Sequence, residues 1–174
     1  MLRLRASGPE DADFGRVQLL RCLDLARLQR MDDLSAAAAP LSGRPDYGKA
    51  AEGLRALPGA IAAMPRKKPA LAATLSAMLP GAGYAYAGRP GAGIASFLIN
   101  GLFIWTVSEA VVHRNYAIAA TAGTLGAGWY AGGIRGAYHS AQQANYRARQ
   151  QAADGPVQTG YDAFERYEPT RSEL

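Results

Sequence analysis

The sequence predicts an all-α fold built around an integral membrane helical hairpin of two transmembrane helices. Charge is nearly absent from residues 69–134, although both flanking segments are rich in it. Within this region, the stretches 91–112 and 116–138 each supply the roughly twenty apolar residues that a helix needs to cross a hydrocarbon core. The segment in front of them carries apolar residues at helical spacing.

Length and charge limit the classes of function. The 174 residues fit one membrane module with short flanking segments, but not two sizeable soluble cores. The net charge of +5 suits an anionic lipid surface. The basic residues do not form one patch with aromatic residues between them, as a nucleic-acid interface requires. We therefore expect the lipid bilayer as a partner, within a homo-oligomer or a larger membrane complex, and no nucleic acid.

Residues 1–65 are predicted to form a cytoplasmic amphipathic helical segment. Acidic residues followed by apolar residues at helical spacing predict one helix over about 10–38. Asp46 is expected to cap a second helix that ends near Leu57, where Pro58 begins a linker. We expect the two helices to pack as an antiparallel pair that rests on the membrane part or on a partner.

Two further features of this segment bear on its location and on its chemistry. Charged side chains interrupt its apolar run, so no secretory leader is expected and the N-terminus is interpreted as cytoplasmic. Cys22 is the only cysteine of the chain, which excludes an intramolecular disulfide and a cysteine-based metal cluster. A buried thiol without a chemical role is expected there.

Residues 66–149 are predicted to form the membrane domain. The basic triplet 66–68 directly precedes the apolar block, as is typical of a membrane edge. Pro80 stops the first apolar helix after about half a bilayer, so 69–86 is expected to be a re-entrant or interfacial helix lying against the hairpin. The residues leave open whether this piece spans or re-enters.

The basic residues predict a topology. If only the two long segments cross, most basic residues share one face and Arg114 alone lies opposite, whereas a third crossing by 69–86 divides them evenly. Two spans with both termini cytoplasmic fit the rule better. The residues expected at lipid headgroups are Arg66, Lys67, Lys68, Arg89 and Arg135.

Small and polar residues of the spans are the candidate site residues. Close backbone approach drives much of helix association in lipid, and small residues recur every four positions on the second span. Glycine abundance is the other interpretation of this register. Asn100 and Glu109 lie inside the first span, where polar groups are functional candidates. We expect Asn100 to bond across helices and Glu109 to reach the following loop. The predicted helix-packing residues are Gly128, Gly132, Gly136 and Ser140.

The sequence offers no constellation for catalysis, and no catalytic, cofactor-binding or metal-ligating residue is assigned. His113 and His139 fall on opposite faces in the two-span topology, which excludes a shared dyad or metal. The stretch from Gly83 to Arg89 is a near miss for a phosphate-binding loop, but the required Lys and Ser or Thr are missing and no strand precedes it. Enzyme activity is therefore not expected.

A family resemblance lies in the segment that precedes the first span. The residues that carry it are Lys68-Pro69, Leu75-Ser76 and Pro80-Gly81-Ala82-Gly83-Tyr84-Ala85-Tyr86-Ala87-Gly88-Arg89. Residues 67–145 resemble the bacterial small two-transmembrane-segment domain family and its uncharacterised relatives, whose signature is of the PGxGxxYxGR type. The resemblance implies a short broken helix followed by two spans. Tyr84 stands where relatives often carry Gln or His. We expect an integral protein of the bacterial inner membrane.

Two functions follow from these features. The first is a non-enzymatic membrane anchor, an accessory or scaffold subunit of a bacterial envelope or membrane complex that docks through its small-residue groove. The alternative is a homo-oligomeric pore or small-solute carrier, with Asn100 and Glu109 lining a polar path.

The segment 150–174 is expected to be a flexible tail. It mixes Pro, Gly and balanced charges, which disfavours an independent core. The other interpretation is a short docking helix that carries Tyr161, Phe164 and Tyr167.

Overall fold

The computed structural model describes residues 12–166, and these residues form helices joined by short turns, without strands. The all-α prediction is confirmed for this part of the chain. The helices are α1 (Ala12–Arg27), α2 (Met31–Ala38), a single 3-10 turn (Ala39–Leu41), α3 (Gly48–Ala63), α4 (Pro69–Met78), α5 (Ala82–Tyr86), α6 (Pro90–Val112) and α7 (Tyr116–Arg166). Two compact units follow from their contacts: unit 1 joins residues up to 64 with those from 148 onward, and unit 2 is 65–147.

Unit 1 has its own hydrophobic core. Helices α1, α2 and α3 each turn an apolar stripe inward, as their helical spacing predicts. The fully buried side chains include Leu19, Cys22, Leu23, Leu34, Leu41, Tyr47 and Leu54. The expectation of a buried Cys22 thiol is thereby confirmed.

The prediction of one continuous helix over 10–38 is wrong, because the chain turns between α1 and α2. Gln29 adopts a left-handed conformation with φ of 57°. The amide of Arg30 donates to the carbonyl of Leu25 at 2.9 Å, and that of Gln29 to Ala26 at 3.2 Å. These two bonds are the Schellman pattern that ends a helix. The turn allows α2 to bury Leu34 in the core of unit 1.

The linker predicted at Pro58 is also helical, because α3 continues to Ala63. A proline inside a helix costs roughly 3 kcal/mol through its missing donor and its ring. The side chains of Leu57 and Ile61, on either side of it, are both buried in the core of unit 1. Burial of each contributes about 1.5–3 kcal/mol, which is enough to offset that cost.

The prediction of a flexible tail from residue 150 is wrong as far as Arg166, where α7 ends. Tyr161 and Phe164 pack against the core of unit 1. The Arg27 guanidinium lies 4.8 Å from the Tyr161 ring centre, and the Arg16 guanidinium 4.6 Å from that of Phe164. These two aromatic side chains, which were considered as part of a docking helix, therefore pack within unit 1 itself. Residues 167–174, with Tyr167, lie outside the described residues.

Unit 2 contains α4, α5, α6 and the first part of α7. Helix α6 is long and apolar enough to cross a membrane, and 17% of its most apolar window is buried. Within the described residues no other helix meets the same criterion. The first part of α7 is rich in glycine, alanine and threonine, which contribute less hydrophobicity than the leucine, isoleucine and phenylalanine of α6. A two-span hairpin therefore remains a prediction.

Helices α6 and α7 pack antiparallel along this length. Gly133 faces Ser96, Gly126 faces Phe103 and Gly123 faces Val107, so residue numbers fall along α7 as they rise along α6. A side-chain carbon added at Gly126 would lie 3.0 Å from the Phe103 Cβ. Glycine at this position lets the Phe103 ring lie against the backbone of α7.

We predict that the Cys22 thiol is unreactive in the folded protein. Burial raises its pKa from 9.0 to about 11, and the positive charge of Arg21 opposes this only in part. Because the thiolate is the reactive species, two pKa units lower its population at pH 8 by about a hundredfold. The rate of reaction with a chromogenic disulfide reagent measures this, with the unfolded chain as control. Equal rates in the folded and unfolded chain at pH 8 would contradict it.

Candidate functional site

The residues of the signature-like segment meet at one end of the hairpin in unit 2, which we call the hairpin base: residues 67–93 with 133–145. Gly81 has a φ of 92°, a left-handed conformation that favours glycine. Its backbone lies directly against that of Gly93 at the start of α6, so that a side chain at residue 81 would overlap the Gly93 carbonyl. The turn between α4 and α5 is thus held against α6 by backbone contact.

A second close approach joins α5 to α4. A side-chain carbon at Gly83 would overlap the carbonyl oxygen of Ala72. The Gly83 amide donates a buried hydrogen bond of 3.1 Å to the hydroxyl of Ser76. The Ser76 side chain of α4 therefore provides a partner for one amide in the first turn of α5, where amides have no partner within their own helix. The predicted single piece 69–86 is in fact these two short helices.

The basic triplet is fixed to the hairpin base through Lys67. The Asn145 side chain bonds both backbone groups of Lys67, accepting from its amide and donating to its carbonyl at 2.8 Å each. The Lys67 ammonium donates to the Tyr86 carbonyl at 2.7 Å, which places a cation at the C-terminus of α5. The Lys68 amide donates to the Tyr86 hydroxyl at 3.0 Å. Tyr86 and Asn145 thus act as one clamp.

The residues predicted for lipid headgroups differ in their surroundings. Lys67 is half-buried and its ammonium is engaged within the base. Arg89 is exposed and donates to the Ser140 hydroxyl at 3.4 Å, which occupies one of its five N–H groups. The other exposed members of the predicted set are Arg66, Lys68 and Arg135.

The predicted small-residue register divides into two pairs. Gly136 lies against the Tyr84 hydroxyl, and Ser140 is buried beside Arg89, so both belong to the hairpin base. Gly128 and Gly132 have no atom within 4 Å of an added side-chain carbon. They line an apolar cavity of about 700 Å³ on one side of the α6–α7 pair. Their small size is therefore not used in contacts between α6 and α7.

The two polar residues of α6 lie at different depths along the helix. Asn100 is buried, and its amide donates to the Ser96 carbonyl of its own helix at 2.7 Å rather than across to α7 as expected. The Glu109 carboxylate lies 3.3 Å from the His113 imidazole in the turn that follows, in agreement with the expected reach. Asn100 also borders a second cavity of about 420 Å³, on the side of the helix pair that Tyr130 lines.

The chemistry of the hairpin base is that of a clamp rather than of a reaction centre. Its side-chain donors and acceptors bond backbone groups of neighbouring helices. Within residues 12–166 no group of three or more His, Cys, Asp and Glu side chains is placed to hold a metal ion. The sequence pattern does not indicate Asn145 and Tyr86, the key residues of the hairpin base. For Asn145, the available signal is that it is a lone asparagine in the predicted extension of the second span.

Comparison with protein-family models, curated proteins and solved structures gives no match for this chain.

We predict that Gly83→Ala destabilises unit 2, because its methyl group would overlap the Ala72 carbonyl and neither backbone can yield without breaking the turn. Overpacking of this kind costs about 1–3 kcal/mol. The midpoint of thermal unfolding in detergent should fall. Gly91→Ala, in the first turn of α6 with open space around it, is the matched control and should leave the midpoint unchanged or raise it. Equal unfolding midpoints for Gly83→Ala and the unmodified chain would contradict the close approach of α5 to α4.

Proposed function

We propose that this chain is a non-enzymatic membrane anchor, an accessory or scaffold subunit of a bacterial envelope or membrane complex. In this proposal α6 and the first part of α7 cross the inner membrane as a hairpin. Both termini are cytoplasmic, and the hairpin tethers unit 1 to the membrane. The single observation that carries the proposal is the exposed apolar surface of α6.

Exposing an apolar surface of this size to water is energetically unfavourable. Burying apolar area is worth roughly 25 cal/mol per Å², so each large side chain left in water forgoes about 1.5–3 kcal/mol. A soluble protein would cover such a helix, but most of α6 is uncovered by the rest of the chain. Hydrocarbon is the environment that removes this cost. The large side chains that α6 leaves exposed are Ile94, Phe97, Leu98, Leu102, Ile104, Trp105, Val111 and Val112.

The backbone of the hairpin base supports the same environment. Chain that leaves a regular helix at membrane depth requires partners for its polar groups within the protein. Between α4 and α6, Ser76 accepts from the Gly83 amide and the Lys67 ammonium donates to the Tyr86 carbonyl. Directly before α4, the Tyr86 hydroxyl accepts from the Lys68 amide. The short helices α4 and α5 are therefore suited to a re-entrant or interfacial position at the edge of the bilayer.

Unit 1 is the folded part of the chain that the hairpin tethers in this proposal. Its core is complete with the end of α7 in place, so the hairpin is joined to a folded helical unit at both Met64 and Ala148. An anchor with two covalent attachments restrains such a unit more strongly than a single span. No enzymatic chemistry is assigned to it.

The pore alternative has less support. A polar path needs side chains that face a shared opening, whereas the Asn100 amide is directed to its own helix and Glu109 pairs with His113 at the end of α6. The cavity beside Asn100 has a predominantly apolar lining, which suits packing better than solute passage.

We predict that Ile104→Arg prevents stable insertion, whereas Val17→Arg does not. The two side chains are equally exposed, 65% for Ile104 on α6 and 66% for Val17 on α1, so neither arginine should disturb the packing of its unit. An arginine at the centre of a span costs about 2.5–3.5 kcal/mol in insertion, but an arginine in water costs almost nothing. The fraction of protein that resists extraction by alkaline carbonate measures the difference.

The proposal would fail if the unmodified chain were released by carbonate, or if both variants stayed monomeric in buffer without detergent. Dye-loaded vesicles provide the readout for the alternative. An anchor leaves them sealed, and a leak that disappears in Asn100→Leu while insertion persists would support a pore instead.

A further inference from the structure

The cavity of about 700 Å³ beside α6 and α7 is an apolar groove with a cation at one end. We call it the Trp129 groove. Arg89 and Tyr84 stand at one end of the groove, and Ser96 is a further polar side chain in its lining. The remaining lining residues are Ala92, Ala95 and Ile99 of α6 and Gly128, Trp129, Gly132 and Gly133 of α7. From Ala92 to Ile99 it follows the helix axis for about 10 Å. We propose that this groove binds one acyl chain of an anionic phospholipid, whose phosphate is held by the Arg89 guanidinium.

The groove suits an alkyl chain because small residues form its floor. Side-chain carbons added at Gly128 and Gly132 would meet open space, unlike those at Gly126 and Gly136, which would meet Phe103 and Tyr84. Two larger residues at these positions would fill the groove without disturbing any contact of the hairpin. The absence of side chains at 128 and 132 therefore creates the space itself.

The charge at the end of the groove selects the headgroup. Arg89 directly precedes α6, so the guanidinium stands beside the positive end of that helix. One of its N–H groups reaches Ser140, and the remaining donors match phosphate geometry. The only acidic residue between 65 and 147 is Glu109, twenty positions further along α6 and so about 30 Å away. No carboxylate of unit 2 competes with a phosphate near Arg89.

The same charge disfavours a second copy of the chain in the groove. Two copies paired in parallel through their Gly128 and Gly132 faces would bring both Arg89 side chains to the same depth. Unit 2 has no acid at that end to neutralise the pair, and like charges at close range repel. An anionic lipid removes this repulsion instead of creating it.

The inference rests on the proposed membrane insertion and can be tested separately from it. In the Trp105→Phe chain, Trp129 is the only tryptophan. This chain is reconstituted into phosphatidylcholine vesicles that contain either phosphatidylglycerol or phosphatidylcholine with brominated acyl chains, which quench tryptophan on contact. Flotation of the same vesicles reports insertion. Both headgroups carry a phosphate, but the choline ammonium offsets the charge of the phosphatidylcholine phosphate. We therefore expect phosphatidylglycerol to compete for the site about tenfold better, as a charge-assisted hydrogen bond that only an uncompensated anion strengthens implies.

Three variants in this background identify the site. Arg89→Gln should lower the ratio of phosphatidylglycerol to phosphatidylcholine affinity to about one. Arg89→Lys keeps the positive charge and should retain most of the preference. Gly132→Leu fills the groove and should remove the preference together with the extra quenching. Gly101→Leu is the matched control, because Gly101 is equally open on α6 but does not line the groove, and it should behave as the parent.

Equal quenching by both lipids in the parent, or a preference that survives Arg89→Gln or Gly132→Leu, would overturn the inference. So would a cross-linked dimer that Gly132→Leu converts to monomer, since a second copy would then occupy the groove. Failure to float with the vesicles would instead refute the proposed membrane function on which the inference rests.

Discussion

The apolar side chains that α6 leaves uncovered are the constraint on which the account of unit 2 depends. Helix α6 is long and apolar enough to cross a membrane, and only 17% of its most apolar window is buried. Lipid removes the cost of exposing these side chains, but it also removes the hydrophobic drive between helices. In the proposed membrane position, close approach of the two helices would hold α6 and α7 together, and glycines of α7 do face Phe103 and Val107 across the pair.

The hairpin base meets a second requirement that the proposed lipid environment would impose. Breaking the chain into α4 and α5 leaves amides and carbonyls without helical partners, and at membrane depth such groups need partners within the protein. Ser76 bonds the Gly83 amide, and the Lys67 ammonium bonds the carbonyl at the end of α5. A tyrosine and an asparagine bond the backbone directly before α4. Arg89 stays exposed in this arrangement, at the end of the groove where an anionic headgroup is proposed.

The sequence predicts those features that depend on local composition. The apolar run of α6 has no competing signal and predicts the helix ends to within a residue or two. The buried Cys22 is expected because a lone cysteine outside any motif is most often a buried thiol. The end of α1 was missed, because nothing about Gln29 favours a left-handed conformation, which the burial of Leu34 imposes. The helical tail was missed for a similar reason: Tyr161 and Phe164 are ordered by a core contributed by the first third of the chain. Lys67 and Asn145 are 78 residues apart, so no local pattern joins them.

The claim that α6 and the first part of α7 cross the membrane as a pair is tested most directly by the sidedness of two positions. With Cys22 replaced by serine, single cysteines at Asn115 and at Gln150 are exposed to a maleimide that does not cross the inner membrane of intact cells. We predict that Asn115→Cys reacts from outside and that Gln150→Cys reacts only after the membrane is permeabilised. Reaction of both from outside would mean that α6 crosses alone, and the hairpin would be contradicted.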